Sequence, residues 1–445
     1  MANQPRVEPI RPILELNNFQ ASKESKSSAA SRRVENVGAS AVLFYREPIE
    51  MTAAEGAWMI ARDGTRYLDV YNNVPVVGHS HPEVVEAIHK QMAKLNTHSR
   101  YLVEQVDDYL EALKATMPSS LGNVVLTCTG SEANDLAMRI AREVSGGAVG
   151  FIVTENAYHG GTALTTDASP SSLRNTDLPD YVVTVPAPSN TCYGEDVAGG
   201  FASAVTQAIA ILRDRGIAPA ALILDSIFSS DGVFAEPAGF IAQGVAAVRR
   251  AGGVFIADEV QPGFGRTGDA FWGFQRHGVE PDMVTMSKPM GNGFPMAGLA
   301  VRPDYLAAFC KRFGYFNTFA GNPVAAVAGH ATLRIIQRDG LQENARVVGA
   351  HIKSRLEQLV LSHPRISGVR GAGLFIGIDF NAEGRPAQPD PLFAVEMVDA
   401  LRRKNVLIGM AGKYAATLRV RPPLCMTLNE GDMFVEAFTE ALQLM

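Results

Sequence analysis

Cysteine and tryptophan are scarce in this sequence, and its histidines are scattered. The 445 residues include four cysteines, two tryptophans and nine histidines. No two cysteines form a C-x-x-C pair, and no histidine joins them at the spacing of zinc ligands, so a zinc site is not expected. Reduced, mostly buried thiols are expected for the four cysteines, which are Cys128, Cys192, Cys310 and Cys425.

An excess of charge and long apolar runs are also missing. Charged residues make up 19% of the chain and hydrophobic residues 47%, and the formal net charge is −6. These values are ordinary for a globular protein and give no reason to expect nucleic acid or an anionic membrane as a partner. No apolar run is long enough to span a bilayer. The first residues, MANQPRVEPIRPILELNN, lack the charged-then-apolar order of a secretory signal, so the cytoplasm is the expected location.

An acid and an amine follow two short apolar runs in the segment 251–298. Residues 254–257 (VFIA) form a continuous apolar run, as expected in a strand buried on both faces, and Asp258 follows them. Residues 283–286 (MVTM) repeat the pattern, and Lys288 comes soon after. Ligands of open parallel sheets bind outside the carboxyl ends of the strands, so both side chains are expected to face one ligand. For an isolated acid and lysine, a buried structural ion pair would be the simpler interpretation.

A glycine pattern in the same segment invites a different interpretation. Residues 263–268 (GFGRTG) match G-x-G-x-x-G, which alone indicates a dinucleotide site. Asp258 and Glu259 separate these glycines from the preceding strand, where they would repel a pyrophosphate. The residues that follow do not open a clean amphipathic helix. We therefore reject a nicotinamide site.

A buried strand followed by a capped helix is predicted after residue 124. Residues 124–128 form an apolar strand, and Thr129 and Glu132 have the spacing of a capping box. The free N–H groups of Gly130 and Ser131, together with the helix dipole, can hold a phosphate dianion. By itself the pattern fits an ordinary capped helix equally well.

Several motifs, in order, resemble those of the class III, fold type I, pyridoxal-phosphate-dependent aminotransferases. The resemblance extends from about residue 56 to the carboxyl end of the chain. The motifs are Gly-His-Ser-His-Pro at 78–82, Gly-Ser-Glu-Ala-Asn at 130–134, Asp-Glu-Val-Gln-Pro-Gly-Phe-Gly-Arg-Thr-Gly at 258–268, Ser-Lys at 287–288 and Asn-Thr-Phe at 317–319.

This resemblance implies the roles of the acid and the amine. Lys288 would bind pyridoxal 5'-phosphate as a Schiff base, and Asp258 would pair with the protonated nitrogen of its ring. The cofactor withdraws electrons only while that nitrogen stays protonated, which a nearby carboxylate favours. The lysine must be neutral enough to attack, and it then serves as the general base at the substrate carbon.

The resemblance implies further residues that bind the cofactor. Gly130 and Ser131 would hold its phosphate, and Tyr158 would stack on its ring. Gln261 would hydrogen-bond the ring oxygen. Thr318 would reach across an interface to the cofactor phosphate of a second subunit, so a homodimer is expected.

The substrate pocket is implied less completely. Arg419 matches the position that grips a substrate carboxylate, as a planar guanidinium fork can. Trp58, Asn73 and Arg100 are further pocket candidates. The expected substrates are small amines or amino acids together with a 2-oxo acid.

The implied architecture is an α/β fold with a doubly wound, mainly parallel large domain and a small α+β domain built from both chain ends. The expected bounds are a flexible lead-in at 1–35, the first part of the small domain at 36–75, the large cofactor-binding domain at 76–330 and the rest of the small domain at 331–445. Strand-like segments at 58–61 (WMIA) and 66–70 (RYLDV) around the turn 62–65 (RDGT) predict a hairpin in the small domain.

Two reactions stay open on the sequence. Most members of the family transfer amino groups, and transamination is our main interpretation. Residues 67–74, 95–101 and Ser226 are closer to the ethanolamine-phosphate and phosphohydroxylysine phospho-lyases, which eliminate phosphate. Arg419, where those lyases tend to have lysine, and Phe294, where they often have histidine, favour transfer.

Asp225 and Ser226 stand where relatives commonly have Glu-Pro, which puts in doubt any role inferred for that glutamate. A cofactor-binding relative without enzymatic activity is the third interpretation. The intact pair of Lys288 and Asp258 argues against it.

Overall fold

The structure, a computed structural model, describes residues 28–173 and 176–445. Most of the predicted lead-in therefore lies outside the described residues. The part from residue 28 onward is not irregular, because Ser28–Val37 forms a helix. No helix in these ranges combines the length and apolar character needed to cross a membrane.

The helices of the described ranges are α1 (Ser28–Val37), α2 (Pro82–Lys94), α3 (Glu104–Lys114), α4 (Gly130–Val144), α5 (Ala163–Asp167), α6 (Asn190–Tyr193), α7 (Val197–Asp214), α8 (Ala242–Arg250), α9 (Pro303–Arg312), α10 (Pro323–Arg338), α11 (Leu341–Ser362), α12 (Pro391–Arg403) and α13 (Leu428–Gln443). The strands are β1 (Met51–Glu55), β2 (Trp58–Ala61), β3 (Arg66–Asp69), β4 (Asn123–Thr127), β5 (Gly150–Thr154), β6 (Val182–Val185), β7 (Pro219–Asp225), β8 (Val254–Asp258), β9 (Met283–Met286), β10 (Ala297–Val301), β11 (Ile366–Ala372), β12 (Phe375–Ala382), β13 (Arg385–Pro389), β14 (Val406–Leu407), β15 (Gly409–Ala411) and β16 (Thr417–Val420).

A seven-stranded sheet forms the centre of the large domain, in the order β4-β10-β9-β8-β7-β5-β6. Five neighbouring strands run parallel to one another, in the order β9-β8-β7-β5-β6. Strand β10 runs antiparallel to both of its neighbours, β4 and β9. The mainly parallel α/β fold is thus confirmed. Both predicted strands are present as β8 and β9, and they are adjacent and parallel.

Side chains of the central strands alternate between two cores. In β8, Ile256 belongs to the core that contains the apolar face of α4, whereas Phe255 belongs to the core that contains α7 and α8. A strand covered by helices on both faces must be apolar at every position, which explains the continuous run at 254–257. The alternation also places Asp258 on the same face as Ile256, toward α4.

Both chain ends meet in the small domain, as expected. The predicted hairpin is the antiparallel pair β2 and β3, and β14 from the carboxyl-terminal part pairs parallel to β3. A second sheet, in the order β11-β12-β16-β15, is antiparallel. The expected bound at residue 330 falls inside α10, a continuous helix that packs against α2 and α3. The bounds of the domains stay predictions.

The four cysteines differ from the expectation of buried thiols. Cys128 and Cys425 are half-buried, and Cys192 and Cys310 are exposed. All four are free in the structure. The expectation was wrong for Cys192 and Cys310, which lie on exposed faces of α6 and α9, whereas Cys425 packs partly against the core.

Candidate active site

Lys288 and Asp258 lie in one cleft of about 310 Å³ at the carboxyl end of the large sheet. Asp258 is the last residue of β8, and Lys288 follows β9 by two residues. The cleft brings together the predicted cofactor-binding residues of the central segment and the loops around it, which are Gly130, Ser131, Tyr158 and Gln261. The candidate site therefore lies at the carboxyl ends of β8 and β9, as the sequence predicted.

Three donors hold the carboxylate of Asp258, which is 4% exposed. Its Oδ2 accepts hydrogen bonds from Asn134 Nδ2 at 2.9 Å and from His159 Nδ1 at 2.7 Å. Its Oδ1 accepts one from the backbone N–H of Val260 at 3.1 Å. A carboxylate that accepts from three donors is fixed in orientation.

Asn134, the last residue of the motif at 130–134, and His159 received no role from the sequence. Asn134 lies one helical turn after Gly130, on the face of α4 that packs on the sheet. Its Oδ1 accepts from Thr285 Oγ1 at 2.7 Å, and its Nδ2 also donates to the carbonyl of His159 at 2.8 Å. The spacing within α4, together with the alternation along β8, was the signal that could have identified it.

The amine of Lys288 is altered by its surroundings. Burial, together with the positive charges of Arg421 and Arg419, lowers its pKa from the ordinary 10.5 to about 8. The negative charge of Asp258 acts in the opposite direction. Roughly a tenth of the amine is therefore neutral at pH 7 and half at pH 8, far more than for an ordinary lysine, and the neutral form is the one that a nucleophile and general base requires.

The first turn of α4 forms a site for an anion beside these two groups. The predicted capping box is present, because Thr129 Oγ1 accepts from the N–H of Glu132 at 3.1 Å and Glu132 Oε2 accepts from the N–H of Thr129 at 2.9 Å. Gly130 and Ser131 are the first helical residues, whose N–H groups have no acceptor within the helix. This turn is packed closely, since a Cβ at Gly160 would lie 2.7 Å from Cα of Ser131.

Gln261 lies in the cleft and connects it to both chain ends. Its Oε1 accepts from Asn73 Nδ2 at 2.7 Å and from Arg421 Nη1 at 2.6 Å. Asn73 is 1% exposed, so it supports the site through Gln261. Arg421 was not selected from the sequence, because a lone arginine before two prolines resembles an ordinary edge charge.

The remaining predicted residues do not line the cleft. Arg419 is buried in β16, where its Nη2 lies 3.4 Å from the hydroxyl of Tyr71, and it acts on Lys288 through its charge. Trp58 instead donates from Nε1 to Glu430 Oε1 at 2.6 Å, which draws it toward α13. Trp58 therefore does not line the Lys288 cleft.

Arg100 and Thr318 lie on the outer surface of the chain. The guanidinium of Arg100 is 3.9 Å from the ring centroid of Phe316, and both Arg100 and Thr318 are exposed. They flank a second cleft of about 300 Å³ that is separate from the Lys288 cleft. Within one chain, therefore, neither residue contributes to the candidate active site.

Asp225 lines the cleft at the position where a glutamate was expected. It ends β7 in register with Asp258, and the N–H groups of Ile227 and Ser229 each donate to it at 3.0 Å. Burial raises its pKa, and the charge of Asp258 adds to that effect. Its short side chain is thus bound to its own loop, which leaves it no reach toward a distant arginine.

Glu259, the second acid of the motif, has a structural role. It is fully buried, and burial raises its pKa to about 7. Its carboxylate accepts from Ser226 Oγ at 2.6 Å and from the N–H groups of Gly273 and Phe274 at 2.7 and 2.8 Å. Ser226, which replaces the usual proline, therefore supplies a hydroxyl to this buried acid.

The residues present fit pyridoxal 5'-phosphate. The first turn of α4 suits a phosphate, Tyr158 is a half-buried aromatic ring in the cleft wall, and Lys288 offers an amine for an aldehyde. The fixed carboxylate of Asp258 suits a protonated ring nitrogen.

The chain matches the family model of the class-III aminotransferases over residues 43–442. It is 35% identical over 442 residues to the alanine–glyoxylate aminotransferase 2-like protein of Drosophila melanogaster, covering 96% of this chain and 89% of that protein. It is 34% identical to the ethanolamine-phosphate phospho-lyase homolog 1 of Caenorhabditis elegans, covering 95% of this chain and 94% of that protein. A phospholyase from Arthrobacter, solved in complex with phosphoethanolamine, is 37% identical with a TM-score of 0.90, covering 94% of this chain and all of that one. The chain belongs to the class-III aminotransferases, and it is a pyridoxal-phosphate-dependent enzyme.

Proposed function

We propose that this protein transfers an amino group from an amino acid or amine to a 2-oxo acid. The observation that carries the proposal is the meeting of Lys288, whose pKa is lowered to about 8, with the triply hydrogen-bonded Asp258 in one cleft. When bound there, pyridoxal 5'-phosphate supplies an electron sink for charge that develops on the substrate carbon.

The chain's own groups supply the proton transfers. Lys288 Nζ would hold the cofactor aldehyde, and as a neutral amine it would move a proton at the substrate carbon. Asp258 would hold the ring nitrogen in its protonated form, since an ionised carboxylate can only accept a hydrogen bond. Asn134 and His159 hold that carboxylate in position, so its orientation costs nothing at the moment of reaction.

The substrate end of the site favours an anion. Arg419 and Arg421 are each 6% exposed, and no carboxylate among the described residues lies within 4.0 Å of either guanidinium. Burying two cations without a paired anion is costly, and a substrate carboxylate would reduce that cost. Arg419 does not line the cleft of the single chain, but its unpaired charge supports it as the proposed carboxylate-binding residue.

Phosphate elimination is the second candidate. It is favoured by the likeness to the Arthrobacter phospholyase and by Ser226 in place of proline. The guanidinium groups of Arg419 and Arg421 would suit the phosphate of an O-phosphorylated amine as well as a carboxylate. The two reactions differ in product, so they are separated by experiment more readily than by geometry.

The test uses purified holoenzyme with a panel of amino acids and amines, alanine included, with glyoxylate as acceptor, and separately with phosphoethanolamine. We expect an amino acid product formed from the acceptor and no release of phosphate. Release of phosphate without any acceptor would replace the proposal with the lyase. Lys288→Ala is the control, since transfer that persisted in this variant would arise elsewhere.

We also propose that the enzyme is a homodimer through the surface around Thr318. Three apolar side chains here are strongly exposed in the single chain: Leu102 at 97%, Phe319 at 74% and Tyr101 at 65%. Clustered exposed apolar residues mark interaction surfaces. A second copy that covered this surface would bring the hydroxyl of Thr318 toward the cofactor phosphate of the partner subunit.

A further inference from the structure

Two side chains from opposite ends of the chain hold the amide of Gln261. Asn73 Nδ2 and Arg421 Nη1 both donate to Gln261 Oε1, at 2.7 and 2.6 Å. These residues are separated from Gln261 by 188 and 160 positions along the sequence. The large domain thus supplies the amide, and the small domain supplies both donors.

The chemistry of arginine decides which end of the amide faces these donors. A guanidinium has five N–H donors and no acceptor, so the atom of Gln261 that meets Arg421 must be the oxygen. With its oxygen occupied, the NH₂ group is turned the other way. Gln261 is a half-buried residue of the cleft wall, and its Nε2 donates to none of the described residues. Two N–H donors are therefore presented to the cleft.

The donor from the carboxyl-terminal side is itself firmly placed. The guanidinium of Arg421 lies 4.5 Å from the ring centroid of Tyr71, and its backbone N–H donates to the carbonyl of Val70 at 2.9 Å. The next carbonyl, of Pro422, accepts from the buried Arg266 at 2.7 Å. Any movement of the Arg421 guanidinium or backbone away from Gln261 would therefore break these contacts.

We propose that Asn73 and Arg421 are positioning residues that lock the Gln261 amide with its NH₂ group toward the cleft, where it donates to the oxygen on the cofactor ring. The inference depends on the cofactor lying in this cleft and not on whether transfer or elimination follows. It also means that the small domain must be docked for the cleft to present this donor.

The test is a set of thermodynamic cycles on cofactor affinity, measured by titrating the apoprotein with pyridoxal 5'-phosphate. Asn73→Ala and Arg421→Met are each made alone and together with Gln261→Ala. We expect each single variant to weaken binding by about threefold to tenfold. Asn73→Ala should have little further effect once Gln261 is alanine, because its contact acts through that residue. Arg421→Met should keep only a residual effect of its charge on Lys288, similar to that of Arg419→Met. Arg421→Lys, which keeps a donor, should recover part of the loss.

Arg419→Met is the matched control for charge. It removes a buried guanidinium that also lowers the pKa of Lys288 but does not contact Gln261. The change that Arg419→Met makes in the binding free energy of the cofactor should add fully to the change made by Gln261→Ala. Thermal unfolding of each apoprotein checks folding, and if Arg421→Met does not fold, the cycle with Asn73→Ala decides. Full additivity of Asn73→Ala with Gln261→Ala would overturn the proposal, whatever reaction the enzyme catalyses.

Discussion

The charge of Lys288 depends on the residues that folding brings around it. Its pKa is lowered to about 8 by burial first and then by the charges of Arg421 and Arg419, while the charge of Asp258 acts against them. A lysine whose pKa is lowered is charged below that pKa and neutral above it. The chemistry of this one amine is therefore set by three residues from two distant parts of the chain.

The pKa of Lys288 makes a prediction about pH. The rate at which apoprotein forms its covalent bond with pyridoxal 5'-phosphate should rise about tenfold per pH unit below pH 8 and level off above it, because only the neutral amine attacks. Stopped-flow absorbance would measure it. Asp258→Asn should move the midpoint below 8, since it removes the charge that raises this pKa. A midpoint close to the ordinary 10.5 would contradict the assignment.

Removing the charge of Asp258 should affect catalysis far more than folding. Asp258→Asn is expected to lower turnover by several orders of magnitude, because the ring nitrogen loses its anionic partner. Steady-state kinetics and circular dichroism would measure the two effects. Asp225→Asn is the matched control, since it alters the neighbouring carboxylate of the same cleft, and its effect should be much smaller. Near-normal turnover in Asp258→Asn would rule out the proposed role.

Helix α4 serves two functions through its first turn. Its apolar face packs on the sheet, while its capping box leaves the N–H groups of Gly130 and Ser131 directed at the cleft. The box also binds the preceding strand, because Glu132 Oε2 accepts from the N–H of Cys128 at 2.8 Å. Stability and phosphate binding are thus expected to change together.

Loss of the cap should reveal this coupling. Thr129→Ala is expected to destabilise the apoprotein by about 1 kcal/mol and to weaken cofactor binding, because the first turn of α4 loses its fixed geometry. Urea unfolding and cofactor titration would measure the two effects. Thr206→Ala, in the exposed middle of α7, is the control and should leave cofactor binding unchanged. Unchanged cofactor affinity in Thr129→Ala would show that the cap does not support phosphate binding.

The whole molecule exposes an apolar surface that one chain cannot cover. Leu102 is 97% exposed beside the cleft that Phe316 and Asn317 line. Leu361, at the end of α11, is similarly exposed at 90% but lies elsewhere. The two leucines therefore offer a comparison in which exposure is matched and the position on the surface differs.

The cytoplasmic location of the protein stays a prediction that subcellular fractionation would test.

Charge placed on the proposed interface should dissociate the dimer. Leu102→Asp is expected to yield monomers in sedimentation velocity and to weaken cofactor binding, since Thr318 of the partner subunit would be withdrawn. Leu361→Asp should remain dimeric with unchanged affinity. A Leu102→Asp variant that stayed dimeric would show that the subunits associate through another surface.

The sequence by itself determined the features that depend on neighbours along the chain. The apolar runs at 254–257 and 283–286 became β8 and β9, and the capping box of Thr129 and Glu132 formed as expected. These features were predictable because burial pattern and helix capping involve residues within one strand or one turn. The positions of Asp258 and Lys288 at adjacent strand ends followed from them.

Only the tertiary structure decided which distant side chains meet. Asn134 and His159 reach Asp258 across 124 and 99 residues, and Arg421 reaches Gln261 across 160. Trp58 turned instead to Glu430, which no local pattern indicates. Contacts of this kind depend on how helices and sheets pack, because packing sets the direction of each side chain after the local structure has formed.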